Sequence, residues 1–94
     1  MDFLVAADHP SLPGHFPGRP IVPGVVLLDR VFAAIEAAHG PLGATGLPQV
    51  KFLQPLLPGE PARVELEGQT PRWRFRVLRS GGGVLASGEV TALA

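Results

Sequence analysis

Residues 23–39, PGVVLLDRVFAAIEAAH, form the one long stretch of the chain in which apolar residues recur at helical spacing. Pro23 suits a first helical position, where its missing N–H costs nothing, and Gly40 suits the residue just past the end. Val25, Val26, Leu27, Leu28, Val31, Phe32, Ala33, Ala34, Ile35, Ala37 and Ala38 cover nearly the whole circumference, the pattern of a helix buried on most sides. Something must wrap it, and 94 residues leave room for little besides one further layer. A chain of this size is one domain, 1–94, near the lower limit for a self-sufficient core, so a dimer is the starting expectation.

The wrapping layer lies in the second half. LPQVKFLQPLLP contains a strand; ARVELEG alternates Val64 and Leu66 with Arg63, Glu65 and Glu67; RWRFRVLR alternates Trp73, Phe75 and Val77 with Arg72, Arg74 and Arg76. A turn at GQTP sets Leu66 opposite Trp73 and Val64 opposite Phe75, with Glu67 facing Arg72 and Glu65 facing Arg74. This register leaves Arg63 facing Arg76, a like-charge defect. The next turn, SGGG, sets Val77 opposite Ala86, Trp73 opposite Val90 and Arg74 opposite Glu89. DFLVAA near the start reads as a further short strand. An antiparallel sheet curled around one central helix is the resulting α+β architecture.

Composition narrows the chemistry. Leu, Ile, Val and Phe make up roughly a third of the residues, well above the range of disordered chains despite 12 glycines and 11 prolines. There is no cysteine, and His9, His15 and His39 do not fall at metal-ligand spacing, so neither a metal nor a redox cofactor is expected. Zero formal charge without a basic block argues against nucleic acid, and the absence of a long apolar run argues against a membrane span. A cytoplasmic location is the default expectation.

The candidate chemistry gathers around the helix start. Asp29 has Val25, Val26, Phe32 and Ala33 as its helical neighbours, none able to pair with a carboxylate. A carboxyl in an apolar surround finds a distant donor or becomes a proton donor near neutral pH; otherwise Asp29 lies on a solvated seam with Glu36. His15 sits in ADHPSLPGHFPGRP, an irregular loop stiffened by proline, and serves either as a general base or as a turn histidine bonded to backbone. Gly24, at the helix N-terminus, lets a ligand approach backbone N–H groups that favour negative charge on a carbonyl oxygen. Acid, base and oxyanion donor together suit removal of a proton α to a thioester carbonyl with departure of a β-hydroxyl.

DHPSLPGHFPGRPIVPGVVLLD closely resembles the signature of the hot-dog-fold 3-hydroxyacyl-acyl-carrier-protein dehydratases, a histidine in an HF-x-G loop followed fourteen residues later by a carboxylate on the central helix. KFLQPLLPGE, residues 51–60, resembles a second family segment, a strand ending in a Pro-Gly-acid turn. The resemblance implies a hot-dog fold and a homodimer, or a higher or mixed oligomer, with active sites at the interface. His15 of one subunit would take the α-proton, Asp29 of the other would assist departure of the hydroxyl, and the Gly24 N–H would hold the thioester oxygen. Phe16, Pro23, Val25, Phe32 and Phe52 are expected at the substrate, with no cofactor required. The partner is expected to be an acyl-carrier protein or coenzyme A thioester, for which Arg72, Arg74, Arg76 and Arg79 offer a docking charge; cross-strand pairing with Glu65, Glu67 and Glu89 is their other use. Asp29 stands where the commonest branch has glutamate, and aspartate occurs in a branch that can also isomerise the double bond. Two other functions fit such a chain: a thioesterase in which Asp29 activates water, and a non-catalytic acyl-binding or partner subunit of a related dehydratase.

Overall fold

The structure is a computed structural model and describes residues 1–5 and 21–92. Five strands and one helix follow one another as β1 (Asp2–Leu4), α1 (Gly24–His39), β2 (Thr45–Phe52), β3 (Pro61–Gln69), β4 (Arg72–Arg79) and β5 (Val84–Ala92). The strands form one antiparallel sheet in the order β1-β3-β4-β5-β2, and α1 packs against β3 and β4. The helix and sheet are thus those the sequence specifies. Of DFLVAA, only Asp2–Leu4 is strand among the described residues. No helix of the described residues is long and apolar enough to cross a membrane.

Alternation in the strands becomes burial on one face. Val64, Trp73, Phe75, Val77, Ala86 and Val90 are all buried, while Arg63, Arg72, Arg74 and Arg76 are exposed. Each large ring faces a glycine across the sheet: Trp73 pairs with Gly68, and Phe75 with Gly88. At Gly88 the missing side chain leaves the Phe75 ring its space, since a Cβ there would come within 3.0 Å of it; at Gly68 the close atoms are backbone, the Arg72 carbonyl and Trp73 Cα.

The β4–β5 register is the one expected, with Val77 opposite Ala86, Trp73 opposite Val90 and Arg74 opposite Glu89. The β3–β4 register is not. Leu66 faces Phe75, Val64 faces Val77, Glu65 faces Arg76 and Glu67 faces Arg74. The turn sits one residue further along, at Thr70 and Pro71, so Gln69 pairs with Arg72 and each residue of β3 meets a partner two places on from the one expected. A shift of two keeps every side chain on its face, which is why apolar alternation alone does not distinguish the registers. Charge does: the observed pairing removes the Arg63–Arg76 clash, brings Arg76 Nη2 within 2.6 Å of Glu65 Oε1, and frees Arg63 to pair with Asp2 at 2.9 Å.

The helix departs from expectation in two respects. It begins at Gly24, because Pro23, with ψ 145°, is still extended and forms the cap. It is also covered on one side only. Val26, Leu27, Val31, Ala34 and Ile35 are buried, whereas Val25, Asp29, Ala33, Glu36 and Ala37 are exposed. Alanine and valine occupy both faces, so hydrophobicity overstates how much of α1 a single chain encloses. At the other end, Gly40 adopts φ 92° and its N–H donates to the Glu36 carbonyl at 2.9 Å, closing the helix as expected.

Candidate active site

An apolar groove of about 350 Å³ opens beside the start of α1, between Ile21, Val22, Gly24 and Leu27 on one side and residues 52–56 on the other. Its walls are held by backbone hydrogen bonds. The Val22 N–H donates to the Leu56 carbonyl at 2.8 Å, and the Leu53 and Gln54 N–H groups both donate to the Leu85 carbonyl, at 2.8 and 3.2 Å. Leu56 and Leu85 are fully buried, so both walls are rooted in the core.

Gly24 and Phe52 meet in this groove. A Cβ built on Gly24 would lie 2.7 Å from Phe52 Cζ, closer than two carbons can pack. A side chain at position 24 would displace the Phe52 ring from this seat, a closeness the sequence does not reveal because the two residues are remote along the chain. The ring is nevertheless 54% exposed, as are Leu53 at 56% and Val25 at 63%. Exposed apolar side chains such as Phe52 and Leu53 at the groove, and Val25 on the helix face beside it, mark a surface that something else covers.

Among the described residues, no side chain caps the helix terminus. Pro23 makes no side-chain cap, and the first turn carries no acidic residue. Its only internal closure among the described residues is the Val26 N–H donating to the Pro23 carbonyl at 3.0 Å. The first N–H groups of a helix have no intrahelical acceptor, and the dipole there favours an anionic or polarised oxygen.

Asp29 is not in the groove. It lies on the open face of α1 with Val25 and Ala33, exposed, rather than buried among apolar neighbours as the expected proton donor requires. Five residues separate it from Gly24, a rise of about 7.5 Å along the helix. Val25 shares that outward face, and Phe32 is half-buried against the core rather than in the groove. Pro23 adjoins the groove as the helix cap. His15 and Phe16 lie outside the described residues, as do His9 and Arg19. The described residues therefore bring Gly24 and Phe52 together and leave Asp29 one turn away on a surface that faces outward. Leu27, Leu53 and Leu56 as groove walls were missed; the Pro-rich QPLLPG segment, too irregular to continue the strand, is the one signal that marks a wall there.

The arginines expected to attract a carrier are largely engaged. Arg76 pairs with Glu65, Arg74 Nε lies 3.8 Å from Glu89, and Arg79 donates to Gln54 and to the Pro55 carbonyl. Arg72 faces Gln69 and Thr91, not Glu67.

The ApeI dehydratase family model matches residues 1–89 of the chain. The chain belongs to the ApeI-like dehydratase family. Its fold is the hot-dog fold, a five-stranded antiparallel sheet with one helix. It superposes with a TM-score of 0.80 on a chain of the dehydratase heterocomplex ApeI:P from Xenorhabdus doucetiae, at 22% identity over 99% of this chain and 84% of that one. Among curated relatives, the 3-hydroxyacyl-[acyl-carrier-protein] dehydratase FabZ of Alkaliphilus metalliredigens is 37% identical over 71 residues, covering 67% of this chain and 48% of the relative. That of Haemophilus influenzae is 30% identical over 95 residues, covering 92% and 63%. The chain thus spans between about half and just under two thirds of the length of these relatives.

Proposed function

We propose that the chain is a hydro-lyase that converts a 3-hydroxyacyl thioester, carried on acyl-carrier protein, to the trans-2-enoyl thioester in fatty-acid or polyene-type biosynthesis. The observation that carries this reading is the family match over residues 1–89, joined to a groove whose base is a helix terminus at Gly24 that no side chain of the described residues caps. The thioester oxygen accepts from backbone N–H at Gly24, which stabilises the enolate-like charge as the Cα–H bond breaks. His15 takes that proton. Asp29 gives a proton to the β-hydroxyl, which leaves as water while the Cα–Cβ double bond forms. Phe52, and Phe16 beyond the described residues, flank the acyl chain; no cofactor enters the balance.

The open face of α1 supports assembly. Asp29 lies in water in the protomer, so the apolar surround that makes a carboxyl a usable proton donor has to come from a second subunit. β2 is an edge strand, and beyond the irregularity between Gly46 and Gln49 it runs regularly to Phe52, offering unpaired backbone groups to another strand. A homodimer with two shared sites, the sheet curling around the central helix of each copy, meets both needs. A second reading, a subunit of a mixed dehydratase assembly, is favoured by the fold shared with a chain of the ApeI:P heterocomplex.

Absorbance of the enoyl thioester, followed with a 3-hydroxyacyl carrier-protein substrate, tests the proposal. Enoyl product is the expected result. Release of free thiol instead would establish a thioesterase, and silence from a folded dimer that becomes active only with a related chain would establish the partner role.

A further inference from the structure

The groove wall at residues 53–60 has no strand structure of its own, yet it holds Leu53 and Leu57 out toward solvent. Arg79, the last residue of β4, reaches across to it with every nitrogen of its guanidinium. Nη1 donates to Gln54 Oε1 at 3.0 Å and Nη2 to the Pro55 carbonyl at 2.7 Å. Nε is buried 3.2 Å from Glu60 Oε2, close enough for an ion pair but off the axis of a hydrogen bond. Glu60 passes the constraint on, since its Oε1 accepts from the Leu57 N–H at 2.9 Å and its own N–H donates to the Leu57 carbonyl at 3.1 Å. One side chain thus ties both ends of the wall to the end of β4. A planar fork can span three acceptors at fixed angles; an ammonium, a single point of charge on a flexible stem, cannot.

We infer that Arg79 is a positioning residue for the candidate acyl groove: it fixes residues 53–60 and thereby keeps Leu53 in the groove wall and Phe52 seated against Gly24. This rests on the reading of the groove as a substrate site. Arg79 touches none of the reacting atoms, so its loss acts on how the acyl chain is held and not on the proton transfers.

The test uses the full chain with Arg79→Met, Arg79→Lys and Gln54→Ala. Amide exchange is followed at residues 52–60 and in β3–β5, and binding is read with a non-cleavable 3-hydroxyacyl-pantetheine amide. In Arg79→Met, exchange at residues 53–60 speeds by about tenfold or more while β3–β5 keep their protection. The amide Kd and the KM rise about tenfold with kcat within roughly threefold of the parent, since only uniform binding is lost. Arg79→Lys, which keeps the charge beside Glu60, recovers part of the loss, and Gln54→Ala shows a smaller change of the same kind; these two carry the test if the methionine variant does not fold. Unchanged exchange at residues 53–60, or an equal fall in kcat and kcat/KM at constant KM, overturns the inference. If the parent binds the amide but forms no enoyl product, the dehydratase reading fails while the exchange and Kd comparisons still decide the role of Arg79.

Discussion

Asp29 stands in the second turn of α1 with its carboxyl in solvent, and that exposure decides how its replacement behaves. Nothing in the core leans on it, so Asp29→Asn leaves the fold and its melting temperature essentially unchanged. Turnover falls by roughly 10²–10⁴-fold, the usual worth of a positioned general acid. Steady-state rates beside a circular dichroism melt check both halves; full activity in the asparagine variant removes Asp29 from the reaction. A second carboxyl is legible in the electrostatics. The Arg63 guanidinium, hydrogen-bonded at 2.9 Å, holds the Asp2 carboxyl below the usual aspartate value, and the same pairing raises Arg63. A depressed carboxylate contributes stability above its unfolded pKa and loses it as pH falls through the folded one. Arg63→Met therefore lowers the urea midpoint slightly at neutral pH, the pair being fully exposed, and the gap between the two proteins closes in acid below the folded pKa of Asp2. A gap that persists there assigns the effect to packing. Of these residues, Asp29 was conspicuous as an acid with only apolar helical neighbours. The Asp2–Arg63 pair was not, because it depends on a register fixed 61 positions away along the chain.

Elements expose the limits of pattern more clearly. Strand alternation placed Val64, Trp73, Phe75 and Val77 on the buried face, and glycine past the helix placed its end, since both follow from period and local geometry. The β3–β4 register escaped by two residues because parity survives such a slip and both registers make two Glu–Arg pairs; what separates them is Arg63, which would face Arg76 in one and is free to pair with Asp2 in the other. The groove was legible at Gly24 and at Phe52 but not in the rest of its far wall, which comes from an irregular segment fixed by a side chain at the far end of another strand. Gly88 of β5 offers a test of how tightly β2 is bound to the sheet. A Cβ there would collide with the Gln49 backbone oxygen and come within 3.0 Å of the Phe75 ring. Backbone cannot yield as a side-chain end can, so Gly88→Ala destabilises by about 1–3 kcal/mol, read from denaturant midpoints, and does so by prising β2 from β5. Amide exchange in β2 rises before that in β3; equal loss across all strands contradicts a local effect.

At the scale of the whole molecule, one chain leaves its helix half covered, its β2 edge without a partner strand among the described residues, and Phe52, Leu53 and Val25 exposed. Phe52 and Leu53 line the groove and Phe52 ends the β2 edge, while the open face of α1 begins next to Gly24, which is why a second subunit is expected to complete the site and the fold by the same contact. Such an arrangement has an arithmetic signature. In a two-fold dimer whose sites each take His15 from one copy and Asp29 from the other, the His15→Ala and Asp29→Asn variants are dead alone. A mixed dimer of the two concentrates both lesions in one site and leaves the other intact. Random exchange at equal concentrations makes half the dimers mixed, each with one working site of two, so activity returns to about a quarter of the parent level. Recovery that grows with the time allowed for subunit exchange, measured by enoyl absorbance after mixing, establishes the shared site. If labelled subunits demonstrably exchange and no activity returns, each site is built within one chain, and the outward position of Asp29 then has to be explained by a movement of α1 rather than by a partner.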